Sequence, residues 1–160
     1  MYNIIMVIEI INGLYLGNKK DAYNAHFLKT RNINIIINTT NDVEFMNGCS
    51  KSGIQCIRVN ISDQLTDENR MKHNRDYYYQ LGNLCLLIDK NLERNKNIFV
   101  HCRHGKYRST CLIIAYILYK TRMKLEEVYE LISYKYPLVK LKNHLFYNTL
   151  KMFEEEISNK

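Results

Sequence analysis

Residues that break or loosen a chain are scarce here. One proline and six glycines occur in 160 residues, which excludes a long flexible linker and favours one continuous domain over residues 1–160 with its own core. Long apolar runs are missing as well. Ile4-Ile5-Met6-Val7-Ile8 is too short for a bilayer and is followed by Glu9, so no membrane span is expected. No basic segment precedes it, so it does not read as a secretory signal. Cysteine is present but odd in number: five, with no CxxC pair and no zinc-type spacing to histidine. That excludes a complete disulfide framework and argues for a reducing, cytoplasmic setting. The triplets Asn38-Thr39-Thr40 and Asn60-Ile61-Ser62, which match a glycosylation acceptor, are then accidental. Internal repeats, low-complexity tracts and recognisable nucleic-acid-binding motifs are also lacking.

What the chain does carry is positive charge. Lys and Arg exceed Asp and Glu, giving a net charge of +7, and a basic surface steers anionic partners toward it. The hydrophobic pattern alternates between the two basic periods. Residues 4–11, 14–16, 33–38, 55–61 and 97–101 read as strands, the third and last as buried β-branched or apolar runs. Residues 20–30, 74–93, 109–121, 125–134 and 143–156 read as helices. In the longest of these, Tyr78, Leu81, Cys85, Leu86 and Ile88 are expected to face the core, and Tyr77-Tyr78-Tyr79 to have mixed exposure. Strands alternating with helices predict an α/β fold: a mostly parallel mixed sheet of about five strands, with helices on both faces.

The chemistry is concentrated between the last strand and the apolar helix that follows. His101-Cys102-Arg103-His104-Gly105-Lys106-Tyr107-Arg108-Ser109-Thr110 holds five side chains that can be cationic. A strand-to-helix turn points successive N–H groups into one concavity, and the helix N-terminus adds partial positive charge. Gly105 permits the backbone angles of a tight cradle. Phosphate fits such a site. Cys102 lies at its floor, and cationic neighbours with a helix N-terminus favour the nucleophilic thiolate. Arg108, separated from Cys102 by five residues, closes over the anion with a fork that grips two oxygens. Ser109 donates its hydroxyl toward the sulfur and eases its departure. His101 holds the cysteine from behind. Cys49, Cys56, Cys85 and Cys111 read as small buried hydrophobes.

These residues resemble the HCxxGxxR[ST] motif of cysteine-dependent protein tyrosine phosphatases. Within that superfamily the chain is similar to the dual-specificity phosphatases over nearly its whole length. Ile10 to Gly17 is similar to the opening LYLG segment, Ile35-Ile36-Ile37-Asn38 to the following strand, and Lys124 to Val128 to a later helix. The stretch from Tyr15 to Ala25 is similar to poxvirus-type members, which would place the protein in host cytoplasm or in a virion. The resemblance implies hydrolysis of phosphotyrosine, phosphoserine and phosphothreonine in proteins through a phosphocysteine, without metal or organic cofactor. It implies an aspartate just after the strand that precedes the long helix, and Asp63 in Val59-Asn60-Ile61-Ser62-Asp63 matches. Asp67 and Glu68 are rivals that read better as helix caps.

Two features depart from the family pattern. Arg103, His104 and Lys106 make the loop unusually basic, so a phosphoinositide or an RNA 5′-triphosphate stands as an alternative substrate. Tyr107 occupies a position where small residues are usual, and is expected to point outward toward substrate. Two other classes compete: a phosphate-binding module that has lost catalysis, and a basic nucleic-acid binder. The first normally lacks the nucleophile, the arginine or the acid, and Cys102, Arg108 and Asp63 are all in place. The second lacks a motif. The short segment before the first strand favours a monomer.

Overall fold

The structure is a computed structural model that describes residues 7–61 and 70–160. Five strands form one sheet: β1 (Ile8–Ile11), β2 (Leu14–Gly17), β3 (Ile33–Asn38), β4 (Gln55–Arg58) and β5 (Asn97–His101). Their spatial order is β1-β2-β5-β3-β4. The β1–β2 pair is an antiparallel hairpin, while β2, β5, β3 and β4 run parallel. The mixed, mostly parallel sheet expected from the alternating pattern is therefore present.

Both faces of the sheet are covered, which is why the inner strands are continuously apolar. Side chains alternate along each strand. Leu14, Leu16, Ile35, Ile37, Ile98 and Val100 pack on one side against α3 (Arg70–Glu93), α4 (Arg108–Thr121), α5 (Leu125–Lys135) and α6 (Leu145–Ser158). Tyr15, Ile33, Ile36 and Phe99 face the other side, under α1 (Lys19–Ala22) and α2 (Ala25–Thr30). Helix α4 is buried along most of its length, from Arg108 to Leu118.

Three details differ from the sequence expectation. The helix expected over residues 20–30 is two helices, because Asn18 and Asn24 each cap a new start. Asn18 Oδ1 accepts from the Lys20 and Asp21 N–H groups, Asp21 returns a bond to Asn18 N, and Asn24 Oδ1 accepts from Phe27 N. The strand read to residue 61 ends at Arg58. On α3 the buried row is Tyr77, Leu81, Cys85 and Ile88, whereas Leu86 is 42% exposed. A helix turns 100° per residue, so Leu86 cannot share the inner face with Tyr77, Leu81 and Cys85. The triplet has the mixed exposure expected, but Tyr77 takes the inner position expected of Tyr78, which is half-buried, and Tyr79 is exposed.

Adjacent strands send the chain to opposite faces. After β2 it enters α1 on one side; after β5 it enters α4 on the other. The crevice beyond their carboxyl ends is where open α/β sheets place their sites. The Lys19 N–H donates to the Arg103 carbonyl at 3.3 Å and ties the two exits together.

Candidate active site

The turn between β5 and α4 winds around the Cys102 sulfur. Gly105 takes φ of +67°, and its N–H donates to Cys102 Sγ at 3.2 Å. A Cβ at Gly105 would lie 2.9 Å from the Gly17 carbonyl oxygen and collide with the Tyr136 hydroxyl. Glycine is required both by the angle and by the space. Ser109 Oγ lies 3.1 Å from Cys102 Sγ, so a hydroxyl and an amide N–H converge on one sulfur. Tyr107 precedes the helix without capping it through its side chain, which leaves the positive end of α4 facing the loop.

Arg108 is the first residue of α4 and only 2% exposed. One guanidinium nitrogen donates to the Ile61 carbonyl at 3.0 Å, and Tyr77 donates its hydroxyl to the Arg108 carbonyl. A residue on α3 thus braces the start of α4. Ile61 is also the last described residue before the segment that carries the expected acid. Asp63, Asp67 and Glu68 lie outside the described residues.

His101 lies beneath the loop, 1% exposed, which makes it a positioning residue rather than one that touches a ligand. Its ring stacks on Phe99 at 5.4 Å, Nδ1 is 3.4 Å from the Cys102 carbonyl, and its own carbonyl accepts from Thr39 N and Oγ1. Burial lowers its pKa to about 4; Arg58 and Arg108 add to the shift, against the contact with the Cys102 carbonyl. The imidazole is neutral near pH 7. The unfolded chain takes up this proton near pH 6.5, so stability is expected to fall as pH drops from about 6.5 toward 4, by on the order of 3 kcal/mol. Denaturant midpoints measured across that range check this. A His101→Gln protein that keeps the same slope would assign the effect elsewhere.

The basic rim is arranged by residues that the sequence does not flag. Arg103 donates to Asp42 Oδ2 at 2.7 Å, and Asp42 Oδ1 lies 3.8 Å from Arg108. The hydrogen bond from Arg103 holds the Asp42 carboxyl below its usual range. His104 is exposed and Lys106 half-exposed. Tyr107 is turned onto His144, ring to ring at 4.5 Å, instead of pointing outward. Tyr136 is buried with its hydroxyl over Gly105 and no hydrogen-bond partner among the described residues. Burial, then Cys102 and Asp21, push its phenol pKa up. Tyr136 sits just before Pro137, where the sequence announces only the end of a helix.

The other four cysteines are free thiols. Cys49, Cys85 and Cys111 are buried and Cys56 is half-buried. Asn38 is buried, with its amide donating to the Val43 carbonyl, so the first of the two acceptor-like triplets is closed to modification.

The model of the family described as "Dual specificity phosphatase, catalytic domain" matches residues 14–156. MAP kinase phosphatase with leucine-rich repeats protein 1 of Dictyostelium discoideum is 31% identical over 93% of this chain, which spans only 16% of that protein. The protein 123R of Invertebrate iridescent virus 6, a tyrosine phosphatase by name, is 29% identical over 94% of each chain. Among solved structures, human DUSP28 superposes with a TM-score of 0.80 at 17% identity, covering 96% of this chain and 95% of that one. PTPMT1 in complex with PI(5)P gives 0.76 at 18% identity, with 96% and 97% covered.

Proposed function

The chain belongs to the dual-specificity phosphatase family of cysteine-dependent phosphatases, and from that premise we propose that it hydrolyses phosphate monoesters of tyrosine, serine and threonine in proteins through a phosphocysteine on Cys102. The observation that carries this reading is the sulfur at the floor of an anion cradle. Sγ receives the Gly105 N–H and faces the Ser109 hydroxyl, beside a buried guanidinium and the N-terminus of α4. These groups converge on the sulfur and align it under a bound phosphate.

In the first step Cys102 Sγ attacks phosphorus. The P–S bond forms, the P–O bond to the substrate side chain breaks, and Asp63 protonates the departing oxygen. Arg108 spans two of the equatorial oxygens as charge spreads over them. In the second step water attacks phosphorus, Asp63 takes its proton, and the P–S bond breaks to return the thiolate, to which Ser109 donates. Asp42 does not serve as the acid, because Arg103 holds it ionised. The bond from Arg108 to the Ile61 carbonyl supports Asp63, since it brings the chain to the loop two residues before that aspartate.

Asp63→Asn is expected to slow cleavage of a phosphothreonine peptide by about 100-fold. Cleavage of an aryl phosphate with a good leaving group should fall far less, because a stable phenolate leaves without a proton. Steady-state rates on the two substrates check this. An unchanged rate on phosphothreonine removes Asp63 as the acid.

A second reading rests on Arg103, His104 and Lys106. A phosphoinositide or an RNA 5′-triphosphate would draw on that rim, and PTPMT1 has been solved with PI(5)P. Arg103 is already engaged by Asp42, which favours the protein substrate. Phosphate release from a phosphotyrosine peptide, a phosphothreonine peptide, a soluble phosphoinositide and a 5′-triphosphorylated RNA, with Cys102→Ser as control, separates the two. Preference for either peptide supports the first reading; preference for lipid or RNA overturns it.

A further inference from the structure

Asp42 is a carboxylate at the mouth of a site built for anions, which calls for a reason. Its turn is held mainly by other side chains. Asn38 donates to the Val43 carbonyl at 2.7 Å, Thr40 Oγ1 donates to Asn38 Oδ1 at 2.7 Å, and the Val43 N–H donates to Thr40 Oγ1 at 3.0 Å. These buried bonds hold the backbone from residue 38 to residue 43. The Asp42 side chain instead reaches across to the loop, bonding Arg103 and lying near Arg108. Arg108 is at the floor, with its side chain 3% exposed; Arg103 and Asp42 are at the rim, at 31% and 44%. One carboxylate therefore bridges the guanidinium that takes the reacting phosphate and the guanidinium beside it.

We propose that Asp42 sets the charge specificity of the cleft: by occupying Arg103 it disfavours a second phosphate next to the scissile one, so that singly phosphorylated peptides are preferred to doubly phosphorylated ones. This rests on the phosphatase reading above. In an extended peptide, side chains two residues apart lie on one face, roughly 7 Å from each other. A second phosphate at that distance comes to the rim. To use Arg103 it must displace a charge-assisted bond, and it meets an ionised carboxylate as it does so. Both rim groups are partly exposed, so solvent screens the effect to a modest size. Without Asp42, a second phosphate no longer competes with this carboxylate for Arg103.

The test compares two peptides of one sequence, carrying either phosphotyrosine alone or phosphotyrosine with phosphothreonine two residues before it. The readout is the ratio of kcat/KM for tyrosine release, double over single. Asp42→Asn is expected to raise that ratio about 5- to 10-fold over the unsubstituted enzyme. In an Arg103→Gln background the same substitution should give no gain. The ratio of dissociation constants, measured on Cys102→Ser protein with and without Asp42→Asn, should move in parallel and needs no turnover. A ratio unchanged within about twofold, or an equal gain without Arg103, overturns the proposal. Absence of Cys102-dependent turnover on both peptides is a different result, which overturns the phosphatase reading while the binding ratio still decides the role of Asp42.

Discussion

Cys102→Ser is expected to reduce phosphate release by about 10⁴-fold or more, on the scale of removing a covalent nucleophile, while the protein still binds phosphate. The two halves of this result come from different atoms. Turnover needs a group that is anionic and nucleophilic at neutral pH; a serine hydroxyl at the same place is neither. Binding needs the cradle, which the substitution leaves intact: the backbone N–H groups around Gly105, the Arg108 guanidinium and the N-terminus of α4. The hydroxyl is smaller than the thiol and can keep a bond to Ser109, so the loop has no steric reason to rearrange. Phosphate release and calorimetric binding of a phosphotyrosine peptide check both halves. Residual turnover near the unsubstituted rate would show that another group attacks. Loss of binding together with turnover would show that the sulfur holds the loop in shape, and the interpretation of the first measurement would change with it.

The parts of this site that could be read from the sequence are contiguous. Residues 101–110 crowd cations between two apolar segments, and that contrast marks both the turn and its charge preference. Strands β3 and β5 cover the ranges 33–38 and 97–101 expected around their apolar runs, because strands buried on both faces carry little alternation to blur the boundary. The parts that could not be read arrive from a distance. Asp42 meets Arg103 across 61 residues, and nothing near Asp42 in the sequence distinguishes it from a polar turn residue. Tyr136 reaches Gly105 from beyond α5, and Tyr77 reaches Arg108 across 31 residues. In the tyrosine triplet, mixed exposure could be expected from helical period alone, but not which tyrosine goes inward; that depends on where α6 and α4 lie. The split between α1 and α2 was legible in principle. Asn18 and Asn24 are both good capping residues, although the apolar pattern runs on across them.

Arg108→Lys tests whether charge or shape governs the grip on phosphate, and it is expected to lower kcat by about 10³-fold, toward the upper range for losing a transition-state donor. Lysine keeps the positive charge, so a purely electrostatic role would survive the change. The geometry argues against that. Arg108 already spends one N–H on the Ile61 carbonyl, and a planar fork can do this while its remaining donors face two phosphate oxygens at once. An ammonium has three donors on one atom and cannot hold a carbonyl on one side and a pair of oxygens on the other. The loss should fall mainly on kcat, because the equatorial oxygens carry more charge and spread into a plane only as the P–O bond breaks. KM should rise less, since the N–H groups of the loop still bind the ground state. The split between kcat and KM separates this from simple misfolding, which would lower active-enzyme concentration and leave KM unchanged; a denaturation midpoint on the same preparation closes that gap. A kcat within about fivefold of the unsubstituted enzyme would mean that a positive charge at the floor suffices and that the second phosphate oxygen is held by backbone alone.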